Sequence, residues 1–195
     1  MSRALVAVAL LFAVAGCRTL PAGAPAPGAA AGAALAALDA WRASGRVAVR
    51  AGEQGFSAHF DWQEAGGHGD VTVHGPFGAG AVRISRGADL IRIESGRAPP
   101  LEVPAPFTAL EPELAARLGF PLPVESLRYW LLGVPAPGID ADGRPGDFRQ
   151  GGWHVAVGAF VAVDGAPAVL PSRLVLSRAE TRIRVVVDAW RVGGP

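Results

Sequence analysis

The stretch Val71-Thr72-Val73-His74-Gly75-Pro76-Phe77-Gly78-Ala79-Gly80-Ala81-Val82-Arg83-Ile84 places two half-apolar alternations on either side of a Gly-Pro-Phe-Gly connection. It reads as a β-hairpin with an aromatic residue at its tip. Gly75, Gly78 and Gly80 supply the backbone freedom that a tight or bulged connection needs, and Pro76 presets a turn dihedral. Hairpin tips face water and are usually polar, so Phe77 either folds back onto the sheet or is displayed. Taken alone, the stretch favours the fold-back reading; what tips the balance lies elsewhere in the chain.

Working outward, Gly55 to Gln63 alternates cleanly, with Phe56, Ala58, Phe60 and Trp62 on one side and Ser57, His59, Asp61 and Gln63 on the other. Gly45 to Arg50 before it and Asp89 to Ser95 after it follow the same two-residue period, and Glu64 to Gly69 reads as a loop. The pattern is that of an antiparallel meander. Ahead of it, Ala33 to Ala43 spaces Leu35, Leu38 and Trp41 as a short amphipathic helix.

Beyond Pro104 the period changes. Phe107 to Leu118 reads as a helix with Pro112 in its first turn and Gly119 past its end, and a second helix follows Pro123 with Val124, Leu127 and Leu131 on one face. Residues Pro135 to Pro145 read as a loop. Four more strands follow at Phe148 to Gln150, Trp153 to Phe160, Ser172 to Ser177 and Arg182 to Val192, the last with Ile183, Val185, Val187 and Ala189 on one face. The expected fold is mainly β with α: a curled antiparallel half-barrel of about ten strands, lidded by about three helices. A concave face that helices fill only in part leaves an apolar cavity, which suits an acyl chain better than a polar metabolite. Phe56, Phe60, Trp62, Leu127, Trp130 and Leu131 are its expected lining, although an ordinary closed core has the same periodicity.

The amino terminus carries a different message. Residues 2–16 hold one Arg followed by a short apolar run, too short to span a bilayer, which reads as a secretory signal over 1–16. Val14-Ala15-Gly16-Cys17 is similar to the lipobox of bacterial lipoproteins, in which the Cys is acylated and becomes the first mature residue. Cys17 is the only cysteine, so no thiol is left for a disulfide, a metal or catalysis. Arg18 is not the Asp that retains some lipoproteins in the inner membrane, which implies the outer membrane. Residues 17–33, rich in Ala, Gly and Pro, read as a flexible tether, with the folded domain at 34–195.

Eighteen basic residues, one of them Arg3 in the leader, face seventeen acids, so the mature chain is formally neutral. Every basic residue is Arg, and in sequence they are scattered among acids, which reads as a solvated surface and gives no case for nucleic acid. No motif of hydrolytic, phosphate-binding or metal chemistry is found, so no catalytic residue, cofactor or metal is expected. Asp61 and Glu64 are the least implausible acid pair for an envelope hydrolase but read better as surface residues, and Trp62, Trp130 and Trp153 could stack a ligand although most buried Trp residues simply pack.

Taken together, the lipobox, Phe60-Asp61-Trp62-Gln63, Gly75-Pro76-Phe77-Gly78, the run Gly119-Phe120-Pro121-Leu122-Pro123-Val124-Glu125-Ser126-Leu127-Arg128-Tyr129-Trp130-Leu131-Leu132-Gly133-Val134-Pro135, Gln150-Gly151-Gly152-Trp153 and Trp190 resemble the LolB family of outer-membrane lipoprotein receptors. The resemblance covers most of Trp41 to Trp190. It implies a non-enzymatic, monomeric protein on the periplasmic face of the outer membrane. Its apolar cavity would take the acyl chains of lipoprotein cargo from a LolA-like periplasmic carrier and release them among outer-membrane phospholipids. The loop Gly75, Pro76, Phe77, Gly78 matches the family's protruding loop, with Phe where members often have Leu; the longer tether is a second departure. Another acyl-chain carrier of this fold, a structural envelope lipoprotein and an unrecognised envelope hydrolase are the alternatives.

Overall fold

The computed structural model describes residues 24–75, 81–96, 98–107, 110–118 and 122–193. Cys17, and with it Pro76, Phe77 and Gly78, lies outside the described residues; Gly75 lies within them. Helix α1 (Ala29–Ala36) leads into strands β1 (Trp41–Ala51), β2 (Gln54–Ala65), β3 (His68–His74), β4 (Val82–Arg86), β5 (Leu90–Ser95) and β6 (Ala98–Pro104). Helices α2 (Leu110–Leu118) and α3 (Val124–Leu131) come next. Strands β7 (Ala141–Arg144), β8 (Asp147–Gln150), β9 (Trp153–Val161), β10 (Leu170–Arg178) and β11 (Thr181–Val192) complete the chain.

All eleven strands form one antiparallel sheet in the order β6-β5-β4-β3-β2-β1-β11-β10-β9-β8-β7. Each strand pairs with its sequence neighbour except at the centre, where β1 takes β2 on one side and β11 on the other. The sheet is therefore a curled, open half-barrel with edges at β6 and β7. Because the chain leaves at one edge and re-enters at the other, the connection carrying α2 and α3 crosses the open side and becomes its lid.

Several elements differ from their sequence reading, each for a local reason. The first helix ends at Ala36, and Trp41 opens β1, where it pairs with Val192 and Glu64. The helix begins at Ala29, inside the segment expected to be a tether, and its Gly32 is buried so closely that an added Cβ would lie 2.6 Å from Pro145 Cγ. The expected loop 64–69 is a two-glycine turn, Gly66 and Gly67 at φ 55° and 79°, with β2 and β3 paired up to Ala65 and His68. Positive φ at both central residues is the turn that matches strand twist. Strand β6 breaks the strand pattern with Pro99, Pro100 and Pro104, yet an edge strand tolerates prolines. Strand β7 lies within the expected 135–145 loop; it is four exposed residues at the other edge.

The last strand changes face partway along. Ser44 pairs with Ala189 but Gly45 pairs with Val187, so Asp188 is bulged out of the ladder. Ala189 is exposed as a result, and Trp190 turns inward in its place. The bulged Asp188 accepts two hydrogen bonds from Arg46, at 3.2 and 3.0 Å.

At this bulge the backbones approach too closely for any side chain on β1. A Cβ on Gly45 would lie 2.1 Å from the Val186 carbonyl oxygen. Gly45→Ala is expected to lower stability by about 1–3 kcal/mol, as overpacking does, read as a lower urea midpoint with an unchanged m-value.

Candidate functional site

The inner face of the curled sheet is filled unevenly. At the end where β1 begins and β11 finishes, the Trp41 ring lies 5.5 Å from Trp62 and 5.5 Å from Trp190. Trp190 Nε1 donates to the Pro171 carbonyl at 2.7 Å, which ties β11 to β10. Beneath the cluster sits Glu64, 2% exposed, on the inner face of β2. It accepts hydrogen bonds from Trp62 Nε1 at 2.9 Å and from Arg86 Nη2 at 2.5 Å, and Arg128 Nε of α3 is 3.8 Å away. A buried carboxylate between two guanidinium groups is charge-compensated. Gly69, directly across the ladder from Glu64, makes the room: a Cβ there would lie 2.4 Å from Oε1.

Helix α3 is fixed at this same end. Arg128 Nη2 also donates to the Leu38 carbonyl at 3.2 Å, and its guanidinium lies 4.7 Å from the centre of the Tyr129 ring. Trp130 Nε1 donates at 2.8 Å to Gln150 Oε1, whose amide in turn bonds Ala136 and Ile139. The helix stops at Leu132, where Gly133 at φ 77° bonds Trp130 and Val134 bonds Tyr129. Those paired bonds close the last carbonyls around a left-handed glycine.

Toward the opposite end, marked by the 52–53 turn and the β10–β11 turn, the filling stops. A hollow of about 230 Å³ remains, lined by Val47, Val49, Phe56, Phe60, Trp62, Val71, Val73, Val82, Ile84, Leu122, Val124, Leu127, Leu131, Leu174, Leu176, Ile183 and Val185. Every lining side chain is a hydrocarbon or an aromatic ring. Apolar cavities of about 150 Å³ stay dry, so water gains little by entering this one. Trp62 forms the boundary with the tryptophan cluster, and Phe56, 48% exposed, marks the rim.

Of the residues expected around a cavity, Phe56, Phe60, Trp62, Leu127 and Leu131 meet here. Trp130 does not. It is 1% exposed, packs 6.1 Å from Trp153 and spends its indole N–H on Gln150, because it lies on the flank of α3 that meets β8 and β9. Twelve further residues share the lining, most of them β-branched or Leu on inward positions of β1, β3, β4, β10 and β11. Their signal was the strand alternation itself, which does not say where an inner face is left uncovered.

The acid pair separates. Asp61 and Glu64 are three residues apart on one strand, so Asp61 is exposed on the outer face while Glu64 is buried within. His59 and His74 stack on the outer face at 5.6 Å. A second, mixed cleft of about 990 Å³ lies around the tryptophan end, bordered by Arg42, Gln63, Asp164 and Arg191. Among the described residues, no group of three or more His, Cys, Asp or Glu side chains is placed to hold a metal ion, and no helix is long and apolar enough to cross a membrane.

Comparison with known proteins adds to this geometry. The sequence model of the family described as "Outer membrane lipoprotein LolB" matches residues 39–190. The chain is 37% identical over 164 residues to an outer-membrane lipoprotein LolB of Halorhodospira halophila, covering 80% of this chain and 77% of that one. It is 34% identical over 197 residues to one from Thiobacillus denitrificans, covering 98% of each. A crystal structure of a LolA-superfamily protein from Nitrosomonas europaea superposes with a TM-score of 0.54 at 8% identity, over 88% of this chain and 96% of that one, which is a likeness of fold.

Removing the Glu64 carboxylate would leave two guanidinium groups and an indole N–H facing an apolar core. Glu64→Ala is expected to destabilise the domain by about 3–5 kcal/mol, measured by urea denaturation. Glu64→Gln keeps an acceptor for Trp62 and should lose less.

Proposed function

We propose, on the premise that this chain belongs to the LolB family of outer-membrane lipoproteins, that it receives lipoprotein cargo at the outer membrane by taking acyl chains into the hollow between α3 and the sheet. The single observation that carries this reading is a lining of hydrocarbon and aromatic side chains with an exposed aromatic at its rim. Each methylene that leaves water for such a lining gains about 0.8 kcal/mol. A polar metabolite would gain nothing there and lose its hydration.

Cargo would come from a LolA-like periplasmic carrier and leave into outer-membrane phospholipid. Transfer without an energy source requires only that the receptor hold the chains more tightly than the donor does, and the membrane more tightly still. The lid is suited to admit a guest. Helix α3 is latched at the tryptophan end by Arg128 and Trp130, whereas its first residue, Val124, joins α2 in a smaller cluster with Ile91, Ile93 and Val103. Elements held by few buried contacts open at lower free energy than the main core, so α2 with Leu122 and Val124 at the entry to α3, which line the hollow, is the part that yields.

Cys17 would carry the acyl anchor, with the chain held as a monomer on the periplasmic face. Each anchor methylene adds about 0.8 kcal/mol, whereas burying one Phe side chain adds about 1.5–3 kcal/mol. Phe77 is therefore superfluous as an anchor. Its role in this reading is to touch headgroups locally, disturbing them as cargo departs.

Two measurements test the reading. Leu127→Glu places a carboxylate in the lining and should weaken binding of a fluorescent fatty-acid probe by about tenfold or more, the loss for a buried polar group without a partner; undiminished binding would overturn the hollow as the acyl site. Phe77→Glu should leave cargo binding intact and slow cargo insertion into membranes. Insertion at the normal rate would remove Phe77 from the mechanism.

A further inference from the structure

The arginines that look scattered in sequence are gathered by the register onto one outer face. Arg50 of β1 lies directly opposite Arg182 of β11, and two residues along β11 comes Arg184, opposite Ala48. One step further, Val186 is flanked by Arg46 on β1 and Arg173 on β10. All five side chains are exposed. With strands about 4.8 Å apart and residues about 3.4 Å apart, they occupy an area of about 14 by 10 Å.

Asp188 neutralises Arg46, and Arg50 reaches the Gly52 carbonyl at 3.4 Å. Among the described residues Arg173, Arg182 and Arg184 form no ion pair. Like charges directly opposite on a ladder repel, so the Arg50–Arg182 pair is unfavourable unless an anion lies over it. Guanidinium groups bind phosphate oxygens in a bidentate manner.

We infer that this five-arginine face docks on the phosphates of lipid headgroups and sets the orientation of the domain on the membrane. Two observations favour a lipid surface over an acidic protein. The side chains between the arginines are Ala48, Val175 and Val186, with none of the aromatic anchors that centre protein interfaces. The patch also lies toward the 52–53 and β10–β11 turns, the end at which Phe56 marks the rim of the hollow. Docking the arginines thus holds this end of the sheet at the headgroup plane.

The inference rests on the outer-membrane setting but not on the hollow's cargo, and the test reads orientation rather than acyl-chain binding. The acylated full chain with a fluorophore on Ser57→Cys, an exposed outer-face position beside the patch, is reconstituted into phosphatidylcholine vesicles with or without phosphatidylglycerol. The vesicles carry a headgroup-linked energy acceptor. Energy transfer should be higher with phosphatidylglycerol and fall to the phosphatidylcholine level in high salt. Arg182→Gln and Arg184→Gln should each lower the ratio of docked to undocked protein about fivefold, while Arg182→Gln melts no lower than the parent because it removes a repulsion. Equal transfer on both vesicles, or transfer untouched by the two variants, overturns the inference. So does an unchanged transfer accompanied by weaker binding of an acidic soluble protein.

Discussion

Strand β1 is paired along its whole length with β2 on one side and β11 on the other, and this double ladder decides the direction of every side chain that matters. In a strand a shift of one residue exchanges the two faces. With the register fixed, Val47, Val49, Phe60, Ile183 and Val185 turn toward the hollow, while Arg46, Arg50, Arg182 and Arg184 turn outward. The single exception, the bulge at Asp188, swaps the faces of the last few residues of β11. It thereby delivers Trp190 to the cluster that closes one end of the sheet.

That closure explains why the other end can stay open. A void of about 230 Å³ costs about 5 kcal/mol, at about 24 cal/mol per Å³ of unfilled core. A marginally stable domain bears such a cost only with compensation elsewhere. Here the compensation is concentrated in the opposite half. The Trp41 and Trp190 indoles packed behind Trp62, a buried carboxylate held between Arg86 and Arg128, and Gln150 with its hydrogen-bonding capacity used all lie away from the void. The run around Leu127 gathers both roles in a few residues: Leu127 and Leu131 face the hollow, Arg128 and Trp130 secure the helix, and Gly133 ends it.

Much of this was legible in the chain. Strand alternation through Phe56, Phe60 and Trp62, and the apolar face of α3 with Leu127 and Leu131, predicted the elements and most of their inward faces. What escaped had physical causes. Trp41 carries the spacing of a helix but is held in a strand by its two partners. Glu64 reads as a loop acid, and nothing local reveals the two arginines, twenty-two and sixty-four residues away, that allow its burial. Trp130 has the right residue type for a cavity wall, yet a partner twenty residues distant turns it aside. The arginine face is invisible for the same reason, since it exists only through register.

The two borders of the sheet bear on life in a crowded membrane plane. An unclosed sheet exposes unpaired amides at both margins, and proteins confined to two dimensions meet one another often. Strand β6 presents three prolines, which withhold N–H donors, and β7 is four residues long with Gly143 at φ 118°. Neither margin offers a template on which a neighbour's strand can extend the ladder, so the fold keeps its open shape without inviting polymerisation.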